Sequence, residues 1–219
     1  MDFTPAFVEL IAQRRTDLRA ELDAILPQAC SIVLEIGSGH GHFLTRYAAE
    51  FPAKRCVGVD LRSERIARSL RKVAHGRLLN CHFVRAEALE FLYALPSAVT
   101  FEEIWVLFPD PWPKKRHHKN RLMQPDFLEA LAARSLPEAR LYFRTDFAQY
   151  FESVAAFLPS LMSWQLLPHA EWPLEHETVF QARADGYQSL VAVRTSHPAK
   201  PTGRVAPGLP PPISPRSSA

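Results

Sequence analysis

At 219 residues the chain is long enough for one α/β domain with an appended tail, and 47% hydrophobic content allows a sizeable core. A net charge of +3 excludes a uniformly polycationic or polyanionic protein, so the clustering of charge is more informative than its sum. Three widely spaced cysteines, Cys30, Cys56 and Cys81, exclude a disulfide framework, and no stretch reaches the roughly 18 apolar residues of a membrane span or reads as a signal peptide, so reduced buried thiols and a soluble cytoplasmic protein are expected.

Thr4-Pro5 reads as an N-cap followed by proline at the first helical position. A second helix is expected after Thr16, with Leu18, Leu22, Ile25 and Leu26 on one face and Pro27 as its stop. Together these make residues 1–29 a helical segment packed on the main domain. From Ser31 strands alternate with helices. Strands are expected at Ser31–Ile36, Arg55–Val59, Cys81–Val84, Glu102–Phe108 and Arg140–Thr145. Between and after them come helices at His42–Phe51, from Ser63 with Ile66, Leu70 and Val73 inward, and at Glu87–Leu95, Pro125–Ser135 and Phe147–Leu158. Trp164–Leu167 and Ser189–Thr195 read as strands able to pair antiparallel at one edge. The α/β pattern predicts a mostly parallel, Rossmann-like sheet covered on both faces over residues 30–196. Seven prolines in residues 197–219 predict a disordered tail.

Glu35-Ile36-Gly37-Ser38-Gly39-His40-Gly41 is a strand running into a glycine turn and then a helix. Gly37, Gly39 and Gly41 let the backbone approach a ligand and adopt positive φ. Glu35 would repel a pyrophosphate but suits an ammonium, and S-adenosylmethionine carries an ammonium and no phosphate. Asp60, after the second strand, is placed to accept from both ribose hydroxyls. Glu87, with the backbone of Ala88, is placed to border the adenine. The bland alternatives are a tight turn, a loop aspartate and a first-turn helix acid.

Phe108-Pro109-Asp110-Pro111-Trp112-Pro113 cannot be helix or central strand, so a stiff loop is expected at the carboxyl end of a buried strand. Asp110 is its one carboxylate, and Lys114, Lys115, Arg116, Lys119 and Arg121 follow within eight residues. Cations beside aromatics point to a nucleic acid held by its phosphates, against the alternative of a solvated charged loop. His117 and His118 have no third ligand nearby, and no metal is expected. Arg65, Arg68 and Lys72 form a solvated helix face or an auxiliary RNA contact. Asp146 either caps the helix that follows it or points into the cleft of Asp110.

LEIGSGHG, GVD, FPDPWPKKRHHKNRL, RTD and TVFQAR, in this order over most of residues 31–195, resemble the bacterial tRNA (guanine-N7)-methyltransferases. That resemblance implies a class I S-adenosylmethionine-dependent methyltransferase with a seven-stranded sheet whose last strand is antiparallel. It implies tRNA as partner and the guanine at position 46 of the variable loop as methyl acceptor; no obligate protein partner is expected, and a monomer or homodimer is. The resemblance places cofactor contacts on Glu35, Asp60, Glu87 and Asp110, the catalytic acid on Asp110, and substrate contacts on Lys114, Asp146 and the Thr178–Gln181 segment; Arg116 is expected as a phosphate contact from its place in the basic cluster. Gln181 stands where the family has an acid, with Glu175 and Glu177 as candidate replacements. The competing expectations are an amino-methyltransferase acting on another base, a protein or a small amine, and a non-catalytic RNA-binding relative.

Overall fold

The computed structural model describes residues 3–26, 28–174 and 185–200. Seven strands form one sheet: β1 (Cys30–Ile36), β2 (Cys56–Asp60), β3 (Cys81–Arg85), β4 (Val99–Leu107), β5 (Ser135–Thr145), β6 (Trp164–Leu166) and β7 (Gln188–Arg194). Their order in space is β3-β2-β1-β4-β5-β7-β6. The first five run parallel, while β7 pairs antiparallel with both β5 and β6. The expected hairpin partners are present, with β7 inserted beside β5 and the short β6 left at the edge.

Both faces of the sheet are buried, which is why its central strands carry apolar side chains at successive positions rather than in strict alternation. Ile32, Leu34 and Ile36 of β1 point to one face, together with Val57, Val84, Ile104 and Leu141. Val33, Cys56, Phe83, Trp105 and Tyr142 point to the other. Onto the first face pack α1 (Pro5–Ile25), α4 (Ala88–Ala94), α5 (Pro125–Ala132) and α6 (Ala148–Phe157). The second face is covered by α2 (His42–Glu50), α3 (Ser63–Gly76) and the segment carrying Leu167, Ala170, Trp172 and Leu174.

The two expected N-terminal helices are one 21-residue helix capped by Thr4. No proline or glycine interrupts residues 6–25, and the Thr16 hydroxyl donates to the Ala12 carbonyl instead of capping a new start. Arg15 ties α1 to Glu90 of α4 at 2.5 Å. Leu70, expected inward, is 47% exposed, because the helix turns Ile66 and Ser69 to the interior. At the other end the chain stays docked past residue 196. Arg194 donates to the carbonyls of Ala132 and His197, and the Lys200 N–H donates to Glu129 on α5 at 2.7 Å. Cys56 and Cys81 are buried, with the Cys56 thiol pushed up to about 12 by desolvation, whereas Cys30 is only half-buried. No helix among the described residues is long and apolar enough to cross a membrane.

The strand order reverses at β1, so α2 and α5, leaving β1 and β4, cover opposite faces. A crevice therefore opens at the carboxyl ends of these two strands, the position at which open α/β sheets bind ligands. Both motifs singled out in the sequence, the glycine turn and the Pro-Asp-Pro-Trp loop, lie there.

Candidate functional site

Gly37, Gly39 and Gly41 all have positive φ, at 75°, 55° and 69°. At Gly41 the need for glycine is twofold, because a Cβ would also lie 2.7 Å from the Phe83 ring. Beside Gly37 nothing lies within 4 Å of where a Cβ would stand, so the turn leaves its outer side open. The turn is fixed from below. The N–H groups of Gly37 and Ser38 donate to the Val59 carbonyl, and that of Gly39 donates to Asp60 Oδ2 at 2.9 Å.

Glu35 is 4% exposed, and its Oε2 has no hydrogen-bond partner. Burial pushes its pKa up to about 8, against a lowering by the Leu44 backbone N–H and with a smaller push from the Asp60 charge. Ser38 Oγ is likewise buried without a partner. Orphaned buried acceptors are rare in proteins and each calls for an explanation. A carboxylate oxygen and a hydroxyl in need of a donor, beside an open glycine turn, fit the amino-acid end of S-adenosylmethionine. Asp60 fits its ribose less freely than expected. Its two oxygens already accept from the N–H groups of Gly39 and Arg62, and Arg65 Nη1 lies 3.3 Å from Oδ2.

The face Arg65, Arg68 and Lys72 is thus no simple solvated surface, because it folds over the glycine turn. Lys72 Nζ donates to the His40 carbonyl at 2.5 Å, Arg68 lies 3.4 Å from the His40 ring, and the buried Ser69 hydroxyl donates to the Gly39 carbonyl. These contacts link residues about thirty positions apart in sequence, which helical spacing alone does not reveal.

The loop after β4 carries two bulky residues in the left-handed region, Phe108 at φ 50° and Trp112 at φ 44°. Such conformations cost about 1–3 kcal/mol each and persist only where surrounding contacts enforce them. Phe108 is held by its N–H to the Arg144 carbonyl and by an edge contact with Tyr187. The rest of the loop is held by Arg121. Expected as a phosphate contact, Arg121 is 2% exposed. Its Nε donates to the Pro111 carbonyl at 2.9 Å, Nη1 lies 3.3 Å from Ser153 Oγ and Nη2 3.1 Å from the His118 ring, and the guanidinium sits 4.8 Å from the centre of the Tyr150 ring. A charge run conceals such a residue, since only tertiary packing separates the buried cation from its solvated neighbours.

Asp110, between the residues so constrained, is exposed, as are Lys114, Lys115, Arg116 and Lys119. Residues Lys115–Asn120 form a short 3₁₀ helix that turns these cations outward, while the His117 ring packs edge-on against Trp112. Glu87 is the N-cap of α4, its Oε2 accepting from the N–H groups of Leu89 and Glu90, with Ala88 the first helical residue. Asp146 does not cap α6. Thr145 Oγ1 accepts the Phe147 N–H instead, and Asp146 is left exposed at the end of β5. Thr178 and Gln181, with Glu175, Glu177 and Arg183, lie outside the described residues. A residue that sequence reasoning missed is Arg144, buried between the rings of Trp172 at 4.0 Å and Tyr187 at 4.4 Å, with Nε donating to Ser189. Among the described residues no three His, Cys, Asp or Glu side chains are grouped to hold a metal ion.

A parallel sheet of this order, with an antiparallel β7 and a glycine turn after β1, is the class I methyltransferase fold. Solved structures agree on the fold: the 16S rRNA methyltransferase KamB superimposes with a TM-score of 0.56 at 20% identity, over 80% of this chain and 93% of that one. The antibiotic-resistance methyltransferase Kmr gives 0.53 at 20% identity, over 82% and 93%. Residues 29–188 match the family described as "Putative methyltransferase". The tRNA (guanine-N(7)-)-methyltransferase of Alkalilimnicola ehrlichii is 34% identical over 74% of this chain and 70% of that protein. The protein of the same name from Thiobacillus denitrificans is 36% identical over 63% and 61%. The chain belongs to the tRNA (guanine-N(7)-)-methyltransferase family. It spans about three fifths of the length of the first curated relatives it matches.

Proposed function

We propose that the chain transfers a methyl group to N7 of a guanine in tRNA, the guanine at position 46 of the variable loop, with S-adenosylmethionine as donor. The observation that carries this reading is the pairing of two unlike strand ends. At β1 a buried, partnerless Glu35 oxygen lies beneath an open glycine turn, and at the adjacent β4 the exposed Asp110 is held between two aromatics at positive φ. Family membership supplies the substrate class.

S-adenosylmethionine supplies an electrophilic sulfonium methyl. Glu35 and Ser38 are the residues to hold its amino-acid end, Asp60 its ribose, and Glu87 with the Ala88 backbone the adenine side. Guanine N7 has an exposed lone pair, so no base is needed to prepare the nucleophile, and catalysis rests on alignment and charge placement. Asp110 orients the purine and favours the positive charge that develops on it as N7 is alkylated. Lys114 and Arg116 hold flanking phosphates, and Asp146, free of any capping role, meets the base edge. Thr178 and Gln181 complete the base contacts in this reading.

Residues 1–29 then serve as a helical buttress to a catalytic unit of residues 30–196. We place the protein in the cytoplasm, where tRNA is modified, as a monomer or homodimer without an obligate protein partner or metal. The test is methyl transfer from labelled S-adenosylmethionine to unmodified tRNA, followed by nucleoside analysis. Seven-methylguanosine in the variable loop is the expected product. A methylated amino group would establish the amino-methyltransferase alternative, and cofactor and tRNA binding without any product would establish a non-catalytic relative.

A further inference from the structure

A groove of about 630 Å³ runs between α2 and α3, on the face of the sheet opposite α1. Its charged lining is Arg46, Arg68, Arg71 and Lys72, with His42 and His75 at its sides, and no carboxylate among the described residues lines it. Arg46 and Arg71 are exposed at its rim. The cations crowd one another. Burial first, then the charges of Arg68 and Arg71, draw the Lys72 pKa below its ordinary value. Four cations gathered with no carboxylate among the described lining residues repel each other, and a bound polyanion removes that cost.

The position of the groove indicates which polyanion. One end, at His42, adjoins the glycine turn, where Lys72 and Arg68 of the lining reach His40. From there His42 to Ala49 is seven helical steps, about 10 Å, so the groove leads away from the site along α2 with room for more than one phosphate of a strand. Guanidinium forks match phosphate oxygens in pairs, and three of the four cations are arginines.

We propose that the α2–α3 groove is a second RNA-backbone site, receiving phosphates of the same tRNA whose guanine is presented at Asp110; this rests on the tRNA reading above. The Pro-loop cations and the groove then grip the RNA on two sides of the crevice, and the groove arginines add affinity without touching the base or the methyl donor.

The test uses Arg46→Ala/Arg71→Ala, two rim residues without contacts to the glycine turn, in tRNA titrations over a salt series. The expected result is binding weakened about tenfold and a log–log salt slope shallower by about 1.5, with cofactor affinity unchanged. A control, Arg14→Ala/Arg19→Ala on α1, removes the same charge from the opposite face and is expected to leave the slope in place. Wild-type slope in the groove variant, or an equal loss in the α1 variant, overturns the proposal. Nucleoside analysis of the wild-type reaction separates the two levels. Seven-methylguanosine with an unaltered groove variant removes the groove alone, whereas no tRNA binding or product by the wild type removes the tRNA reading and the groove with it.

Discussion

The two strand ends that make the candidate site solve the same steric problem in opposite ways. After β1 the chain turns through three positive-φ positions, all glycine, where the conformation costs little. After β4 it turns through two positive-φ positions occupied by Phe108 and Trp112, where it costs more. The first turn is held by ordinary hydrogen bonds to its neighbours, from the Gly37 and Ser38 N–H groups to Val59 and from the Gly39 N–H to Asp60. The second is enforced from a distance by a buried arginine and the aromatic faces of α6. A turn that is relaxed by composition suits a cofactor that must enter and leave. A strained loop held from behind suits the placing of one carboxylate against a reacting base.

The largest effect expected from this contrast is at Asp110. Asp110→Asn is predicted to lower single-turnover methylation of tRNA by 10² or more, about 3 kcal/mol, while thermal stability and cofactor affinity stay at wild-type values. Unchanged turnover would remove the role given to this carboxylate. Next comes the support of the loop. Arg121→Met keeps much of the volume but deletes the hydrogen bonds to Pro111 and Ser153 and the stacking on Tyr150, an expected cost of about 2–4 kcal/mol in denaturant unfolding. Turnover should fall at least about tenfold with cofactor affinity intact, and a variant that loses stability but not turnover would show that the loop does not need its strain.

A third test concerns the cofactor end. The Glu35 carboxyl is raised from 4.5 in the unfolded chain to about 8 in the fold. The folded state therefore retains a proton that the unfolded state has lost, and the Glu35 contribution to stability declines as pH rises from about 4.5 to 8. Cofactor binding has the opposite sign. An ammonium selects the carboxylate, so binding releases the proton, and calorimetric affinity is expected to rise about tenfold per unit between pH 6 and 8 and then level off. Glu35→Gln should flatten that slope, and a slope surviving in this variant would assign it to another group. The smallest effect separates the glycines. Gly37→Ala has open space and pays only for its φ, about 1 kcal/mol, whereas Gly41→Ala must also displace the Phe83 ring and is expected to cost about 2–4 kcal/mol. Equal costs in thermal unfolding would mean that φ, not packing, sets the glycine requirement throughout the turn.

Residue order alone determined the alternating α/β plan, the glycine turn, the carboxylates Glu35, Asp60 and Asp110, and the proline-stiffened loop. Each of these depends on local chemistry: periodic burial, permitted φ, or a missing backbone donor. Tertiary structure decided what local chemistry leaves degenerate. Arg121 and Arg116 are alike in a run of cations, yet only Arg121 meets α6 and becomes buried. Thr145 and Asp146 are both good capping residues, yet the N-cap position of α6 falls to Phe147 without a side-chain cap: Thr145 is buried with its hydroxyl accepting the Phe147 N–H, and Asp146 is left exposed. Arg68 and Lys72 occupy a face that period 3.6 marks as solvent, but the approach of α3 to the turn after β1 converts it into a roof over His40. Whether a charge is solvated, buried or shared depends on which distant element packs against it, and that is a property of the assembled sheet and its two helical layers.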